Sequence, residues 1–129
     1  MSTVFYNRLH NEQQRREFLS DLFSTMFFGN FWARARLDED THSTYARKGD
    51  CLEDVWARAI LDGCALTVTD MEEGEEHGLT LEDILTGLDL LQANNPSMWA
   101  RVVENDGSAD MIDCDAVLQY AVFGEWIYG

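Results

Sequence analysis

The sequence predicts a single α+β domain in which about four helices pack on a small antiparallel sheet. Segments with helical spacing of apolar residues alternate with short segments in which apolar and polar residues alternate. The chain has 129 residues, enough for one domain and few for two. Hydrophobic residues make up 46% of it, which argues against disorder. Residues 1–12 can form a flexible tail before the first helix.

The first third predicts a helix, a strand and a loop. A helix near residues 13–27 follows from apolar residues at helical spacing, and Gly29 with Asn30 supplies its stop. Residues 31–37 alternate apolar and polar side chains, which favours a strand. Residues 38–49 have no apolar period and predict an exposed loop.

The middle third predicts a helix, a hairpin and a second helix. Asp50 and Glu53 have capping-box spacing before a helix near 51–62. Residues 64–69 form a β-branched strand, and residues 77–79 return beyond an acidic turn as its hairpin partner. Thr80 caps a helix near 80–92, the clearest in the chain.

The last third is less regular. Residues 96–103 fit either a helix or a short strand, and 105–109 a loop. Asp113 is expected to cap a helix near 114–123, with Ile112 and Val117 as a hydrophobic staple. The apolar residues 126–128 predict a closing strand whose loss would destabilise the fold. The predicted core comprises Leu22, Trp56, Ile60, Leu66, Val68, Ile84, Leu85, Leu88, Val117 and Ala121.

The charge of the chain is strongly uneven. The formal net charge is −15, and residues 51–129 carry 17 acidic residues against Arg58 and Arg101 alone. Such a chain is repelled by phosphate backbones and anionic lipids, which disfavours direct nucleic-acid or membrane binding. No apolar run is long enough for a membrane span. Three separated cysteines, taken as buried thiols, fit the reducing cytoplasm.

Motifs for catalysis or cofactors are absent from the sequence. The three histidines lie outside any nucleophile motif, and no glycine-rich phosphate loop occurs. Zinc would need paired Cys or His ligands, and an EF-hand register over 102–113 has Val102 where the first oxygen ligand must stand. We therefore expect no enzyme activity, no metal and no cofactor.

Two different binding functions remain open. Carboxylates can imitate a phosphate backbone and bind a basic protein surface, although a merely solvated acidic face explains the same residues. The candidates for that face are Glu72, Glu73, Glu75, Glu76, Glu82, Asp83, Asp106 and Asp110. The alternative is a protein that sequesters a nucleotide signal, for which Trp32, Arg34 and Arg36 are the candidate ligand-binding residues. A structural or regulatory accessory module is a third possibility.

The C-terminal residues resemble a known family. Residues 113–129 (DCDAVLQYAVFGEWIYG) are similar to the ending D-A-x-x-A-D-x-I/L-x-Q-Y-A-L-F-G-E, followed by two hydrophobic residues and Gly, of an uncharacterised family of small phage and prophage proteins. Residues 66–70 and 79–88 resemble its central strand and helix, and residues 29–32 its G-x-N-Y-W segment. The Phe-rich first helix and the segment 96–103 depart from the family pattern.

The resemblance implies a mobile-element setting but no catalytic residue. Small acidic proteins in that setting include inhibitors of host defence such as anti-CRISPR proteins, which is an analogy only. The expected partner is a host or phage protein with a basic surface in the host cytoplasm. Trp32, Tyr45 and Trp99 are not explained by the predicted core, so a homodimer is also expected.

Overall fold

Six α-helices and one three-stranded antiparallel sheet make up the described part of the chain, residues 9–104 and 109–129 of a computed structural model. This arrangement confirms the α+β class, with two helices more than predicted. The elements in chain order are α1 (Glu12–Phe27), β1 (Ala33–Arg36), α2 (Glu39–Tyr45), α3 (Leu52–Leu61), β2 (Leu66–Asp70), β3 (Glu76–Leu79), α4 (Leu81–Asn94), α5 (Pro96–Glu104) and α6 (Met111–Phe123).

The two additional helices are α2 and α5. The prediction of a loop over residues 38–49 was wrong because Asp38 caps α2 through the amides of Asp40 and Thr41. Since α2 buries no residue, it has no apolar period to reveal it. Of the two structures left open for residues 96–103, the helix is observed.

Two helix starts differ from the prediction. The Asp54 carboxylate accepts from the Cys51 amide at 3.0 Å at the start of α3, one residue beyond the expected Asp50–Glu53 pair. Asp110, not Asp113, caps α6, and its side chain accepts from the Asp113 amide at 2.9 Å.

The corrected start of α6 also removes the expected staple. Ile112 lies within the helix and is exposed, so it cannot form a staple with Val117. Of the three cysteines expected to be buried, Cys114 is buried, Cys64 is half-buried and Cys51 is exposed.

The sheet has the order β1–β2–β3, and both pairings are antiparallel. Ala35 pairs with Val68 on one side, and Val68 pairs with His77 on the other. The predicted hairpin of β2 and β3 is confirmed. Its turn contains Gly74 at a φ of 74°, a conformation that glycine adopts without strain.

Helix α4 packs directly on α6. A Cβ atom added at Gly87 would lie 2.7 Å from the Val117 carbonyl oxygen, so only glycine permits this approach. Leu85 and Leu88 are buried, as the helical register predicted. Nine of the ten predicted core residues are buried, and the tenth, Ala121, is partly buried against the core.

Two predictions about aromatic side chains were wrong. Trp32, which the predicted core left out, is fully buried, and its indole N–H has a hydrogen-bond acceptor inside the protein. Residues 126–128 form no strand. The expected flexible tail over residues 1–12 lies mostly outside the described residues, although Asn11 caps α1. Over the described ranges, no helix is both long and apolar enough to cross a membrane.

Candidate functional site: an aromatic pocket over a buried carboxylate

The Asp115 carboxylate on α6 is the centre of a buried hydrogen-bond network. Its Oδ1 accepts from Asn30 Nδ2 and from Trp32 Nε1, each at 2.7 Å. Its Oδ2 accepts from Gln119 Nε2 at 2.7 Å, because residues four apart on a helix are neighbours. Asp115 is 7% exposed, so a charged group is held inside the protein by three neutral donors.

Asn30 connects this network to the start of the sheet. Its side-chain oxygen accepts from the amides of Trp32 at 2.9 Å and Ala33 at 3.0 Å. Its Nδ2 also donates to the Met26 carbonyl at the end of α1. The same side chain therefore shapes the turn from α1 into β1 and places the Trp32 indole against Asp115.

Gln119 holds the C-terminal segment against α6. Its Oε1 accepts from the amides of Ile127 at 2.8 Å and Tyr128 at 2.7 Å, and its Nε2 donates to the Tyr128 carbonyl at 2.9 Å. The Tyr128 hydroxyl donates to Asp70 Oδ2 at 2.8 Å. Side-chain bonds thus replace the strand pairing that the sequence predicted for this segment.

These contacts enclose a small pocket of about 120 Å³. The rings of Phe31 and Tyr128 meet edge to face, with centroids 6.3 Å apart. Asp115 is one of the lining residues, so the network forms part of the wall of a mostly apolar cavity. The full lining is Asn30, Phe31, Met111, Ile112, Asp115, Trp126, Tyr128 and Gly129.

Large apolar side chains surround this pocket and face solvent. Phe31 is 60% exposed, Ile112 59%, Met111 41% and Trp126 37%, and all four line the same pocket. We call these four residues the apolar patch. Contiguous apolar surface of this kind marks an interaction site more often than scattered apolar residues do.

A second, more open groove adjoins the patch. It has a volume of about 570 Å³, and it shares Asn30 and Phe31 with the aromatic pocket. Phe28 and Leu52, both exposed, lie along it together with Arg34. The apolar surface therefore continues from the pocket onto the face between α1 and α3.

Carboxylates flank the apolar patch. Asp110 and Glu125 are exposed and directly precede the patch residues Met111 and Trp126 in the chain. Each carboxylate is therefore one residue away from the patch along the chain.

Tyr128 joins the pocket to the acidic turn between β2 and β3. Burial raises the pKa of Tyr128 to about 12, and the hydrogen bond to Asp70 and the charges of Glu73 and Glu72 add to the shift. The phenol is therefore a stable hydrogen-bond donor at neutral pH, and the turn lies close enough to act on it.

The predicted acidic residues do not form one face. Glu72, Glu73, Glu75 and Glu76 are exposed together at the β2–β3 turn, where Glu76 pairs with Arg36 at 2.9 Å.

The other predicted carboxylates lie apart from that turn. Glu82 and Asp83 start α4 at the opposite end of β3, where Asp83 accepts from the Thr80 amide at 2.9 Å. Asp110 caps α6, and Asp106 lies outside the described residues.

The predicted nucleotide-binding residues are also separated. Trp32 is buried in the Asp115 network, and Arg36 is paired with Glu76. The Arg34 guanidinium donates to the carbonyls of Asn30 at 2.6 Å and Ala33 at 3.0 Å, and Arg34 alone of the three lines the open groove.

Sequence reasoning missed Asn30, Asp115 and Gln119. A signal was present, because Asp115 and Gln119 stand four residues apart and so lie on the same face of a mostly apolar helix. Across residues 9–104 and 109–129, no cluster of His, Cys, Asp and Glu side chains could hold a metal ion. The arrangement is therefore suited to binding through ring faces and apolar contacts beside the Asp115 network.

Comparisons with known proteins give no relative. A scan against models of protein families, a search of curated proteins and a search of solved structures each found no match to this chain.

Proposed function

We propose that this chain is a non-enzymatic accessory protein of a phage or another mobile element that acts by binding a protein in the host cytoplasm. The observation that carries the proposal is the apolar patch, in which four large exposed side chains line one pocket. Exposed apolar surface rimmed by polar residues is typical of protein-binding sites.

The charge of the chain supports a basic partner. With a net charge of −15, the protein attracts cationic surfaces over a distance and repels other acidic proteins. Basic surfaces are common on proteins that bind nucleic acid. The favoured version of the proposal is an inhibitor that occupies the nucleic-acid groove of a host defence complex.

The experiment is capture from host lysate followed by displacement with duplex DNA. The expected result is a captured protein that itself binds nucleic acid and is released by the DNA. Capture that DNA does not displace would contradict the mimicry.

Charge-reversal variants sharpen this experiment. Replacement of Glu72, Glu73, Glu75 and Glu76 by Lys should weaken capture and leave the fold intact, since all four are exposed. The control reverses the same number of exposed carboxylates outside the β2–β3 turn, on α1, α2 and α5, and should keep capture: Glu12, Glu17, Glu39 and Glu104. Equal losses in both variants would mean that only the total charge matters.

The alternative function is the binding of a nucleotide signal. The observation that favours it is Arg34, which lines the open groove beside the rings of Phe31 and Trp56. Titration with labelled cyclic nucleotides tests it, and Arg34→Ala should abolish binding while Arg36→Ala should not.

Self-association remains a prediction. Of the aromatic residues that motivated it, Trp32 is buried, whereas Tyr45 and Trp99 are half-buried. Light scattering that reports a dimer would support it.

A further inference from the structure

We propose that the aromatic pocket binds the cationic side chain of an arginine or lysine of the protein partner, with Asp115 as its counter-charge. This inference rests on the proposed function and names the chemistry by which the partner would be recognised. The rings of Phe31, Trp126 and Tyr128 would surround the cation and its alkyl stem.

The lining of the pocket favours a cation with an apolar stem. Three aromatic residues and two aliphatic ones line it, and aromatic ring faces attract ammonium and guanidinium groups. The cavity of about 120 Å³ is well below the roughly 300 Å³ at which small-molecule sites begin. One side chain is therefore a better fit than a nucleotide.

No arginine or lysine of the described protein forms an ion pair with Asp115. The three arginine–carboxylate ion pairs of residues 9–104 and 109–129 involve Asp50, Glu76 and Asp113 instead. The donors to Asp115 are an indole and two side-chain amides, all neutral. A carboxylate offers about four acceptor positions, and these donors use three of those of Asp115.

Charge also decides between the possible occupants. A second copy of this chain would bring another net charge of −15 to the patch. A purely apolar side chain would cover Asp115 without neutralising it, which raises the cost of its burial. An arginine or lysine would make cation–π contacts with the rings and an ion pair with the carboxylate.

The test is a binding titration followed by NMR. The indole N–H of Trp126, which donates to the Tyr128 carbonyl at 2.6 Å, reports on the pocket. The probes are N-acetyl-arginine amide, its neutral citrulline isostere and N-acetyl-leucine amide, all at about 0.15 M salt, where diffuse attraction is screened. The arginine probe should shift the Trp126 signal saturably and bind about tenfold tighter than citrulline, because its bond to the carboxylate is charge-assisted.

Variants locate the binding. Phe31→Leu and Trp126→Leu keep apolar volume and remove a ring face, so each should weaken arginine binding by about three- to tenfold. The matched control is Phe28→Leu, which removes an exposed ring outside this pocket and should change nothing. Asp115→Asn should abolish the preference for arginine over citrulline, and if it fails to fold, the two leucine variants decide alone.

Three results would overturn the inference. These are equal binding of arginine and citrulline, tighter binding of the leucine probe, or arginine-induced shifts confined to the acidic turn. The result is separable from that of the capture experiment. Capture that survives Phe31→Leu and Trp126→Leu would refute recognition through the pocket and leave the proposed function standing. Arginine binding without any captured partner would leave the pocket standing and refute the proposed function.

Discussion

Gln119→Leu should cause a large loss of stability. Gln119 is fully buried and makes four hydrogen bonds, to Asp115, to the Tyr128 carbonyl, and from the amides of Ile127 and Tyr128. Leucine matches its volume approximately, so the change removes the bonds without leaving a large cavity. The variant therefore isolates the polar contribution of this side chain.

The magnitude follows from the partners that are left unsatisfied. The amide of exposed Ile127 can turn to water, and the Tyr128 carbonyl keeps the bond from Trp126. Asp115 Oδ2 and the Tyr128 amide lose the only partners described for them. At about 1–3 kcal/mol for each unsatisfied buried group, the free energy of unfolding should fall by about 2–6 kcal/mol.

Urea unfolding followed by circular dichroism measures this loss. Gln92→Leu, the same change at an exposed position of α4, is the control and should stay within about 0.5 kcal/mol of the parent. If Gln119→Leu lost no more than Gln92→Leu, the network would not hold the C-terminal segment.

Three further predictions concern packing, charge and the C-terminus. Gly87→Ala should destabilise by about 1–3 kcal/mol in urea unfolding, because its Cβ would press against the Val117 carbonyl, whereas the exposed Thr86→Ala should be neutral. Arg101 lowers the pKa of Asp113, so that pair stabilises above the usual Asp pKa of about 4 and its contribution is lost as the pH falls through the lowered value. Asp113→Asn should therefore flatten the acid limb of a plot of stability against pH, and an unchanged limb would contradict the ion pair. Deletion of residues 125–129 should lower the melting temperature clearly, and no shift would refute the structural role of the segment.

The helices with strong apolar spacing could be predicted from the sequence, and the polar network could not. The periods of α3 and α4 reflect burial directly, so Ile60 and Leu88 were placed correctly in the core. The start of α6 was misplaced because Asp110 and Asp113 both have the chemistry of a cap.

The site depends on contacts that no local pattern contains. Asp115 meets Trp32 across 83 residues of sequence, and a polar residue in a helix is ordinarily taken for its solvent face. The C-terminal segment was expected to form a strand because it is apolar. In the structure, Gln119 accepts the backbone hydrogen bonds of that segment instead.

The rate of association with a captured basic partner tests the central claim most directly. If acidic residues steer a basic protein to the apolar patch, the association rate constant should fall by about tenfold or more between about 20 mM and about 150 mM salt. Reversal of Glu72, Glu73, Glu75 and Glu76 to Lys should remove most of that dependence, and the four-residue control outside the turn should retain more of it. An association rate that does not change with salt, or a quadruple variant that binds as the parent does, would contradict the claim.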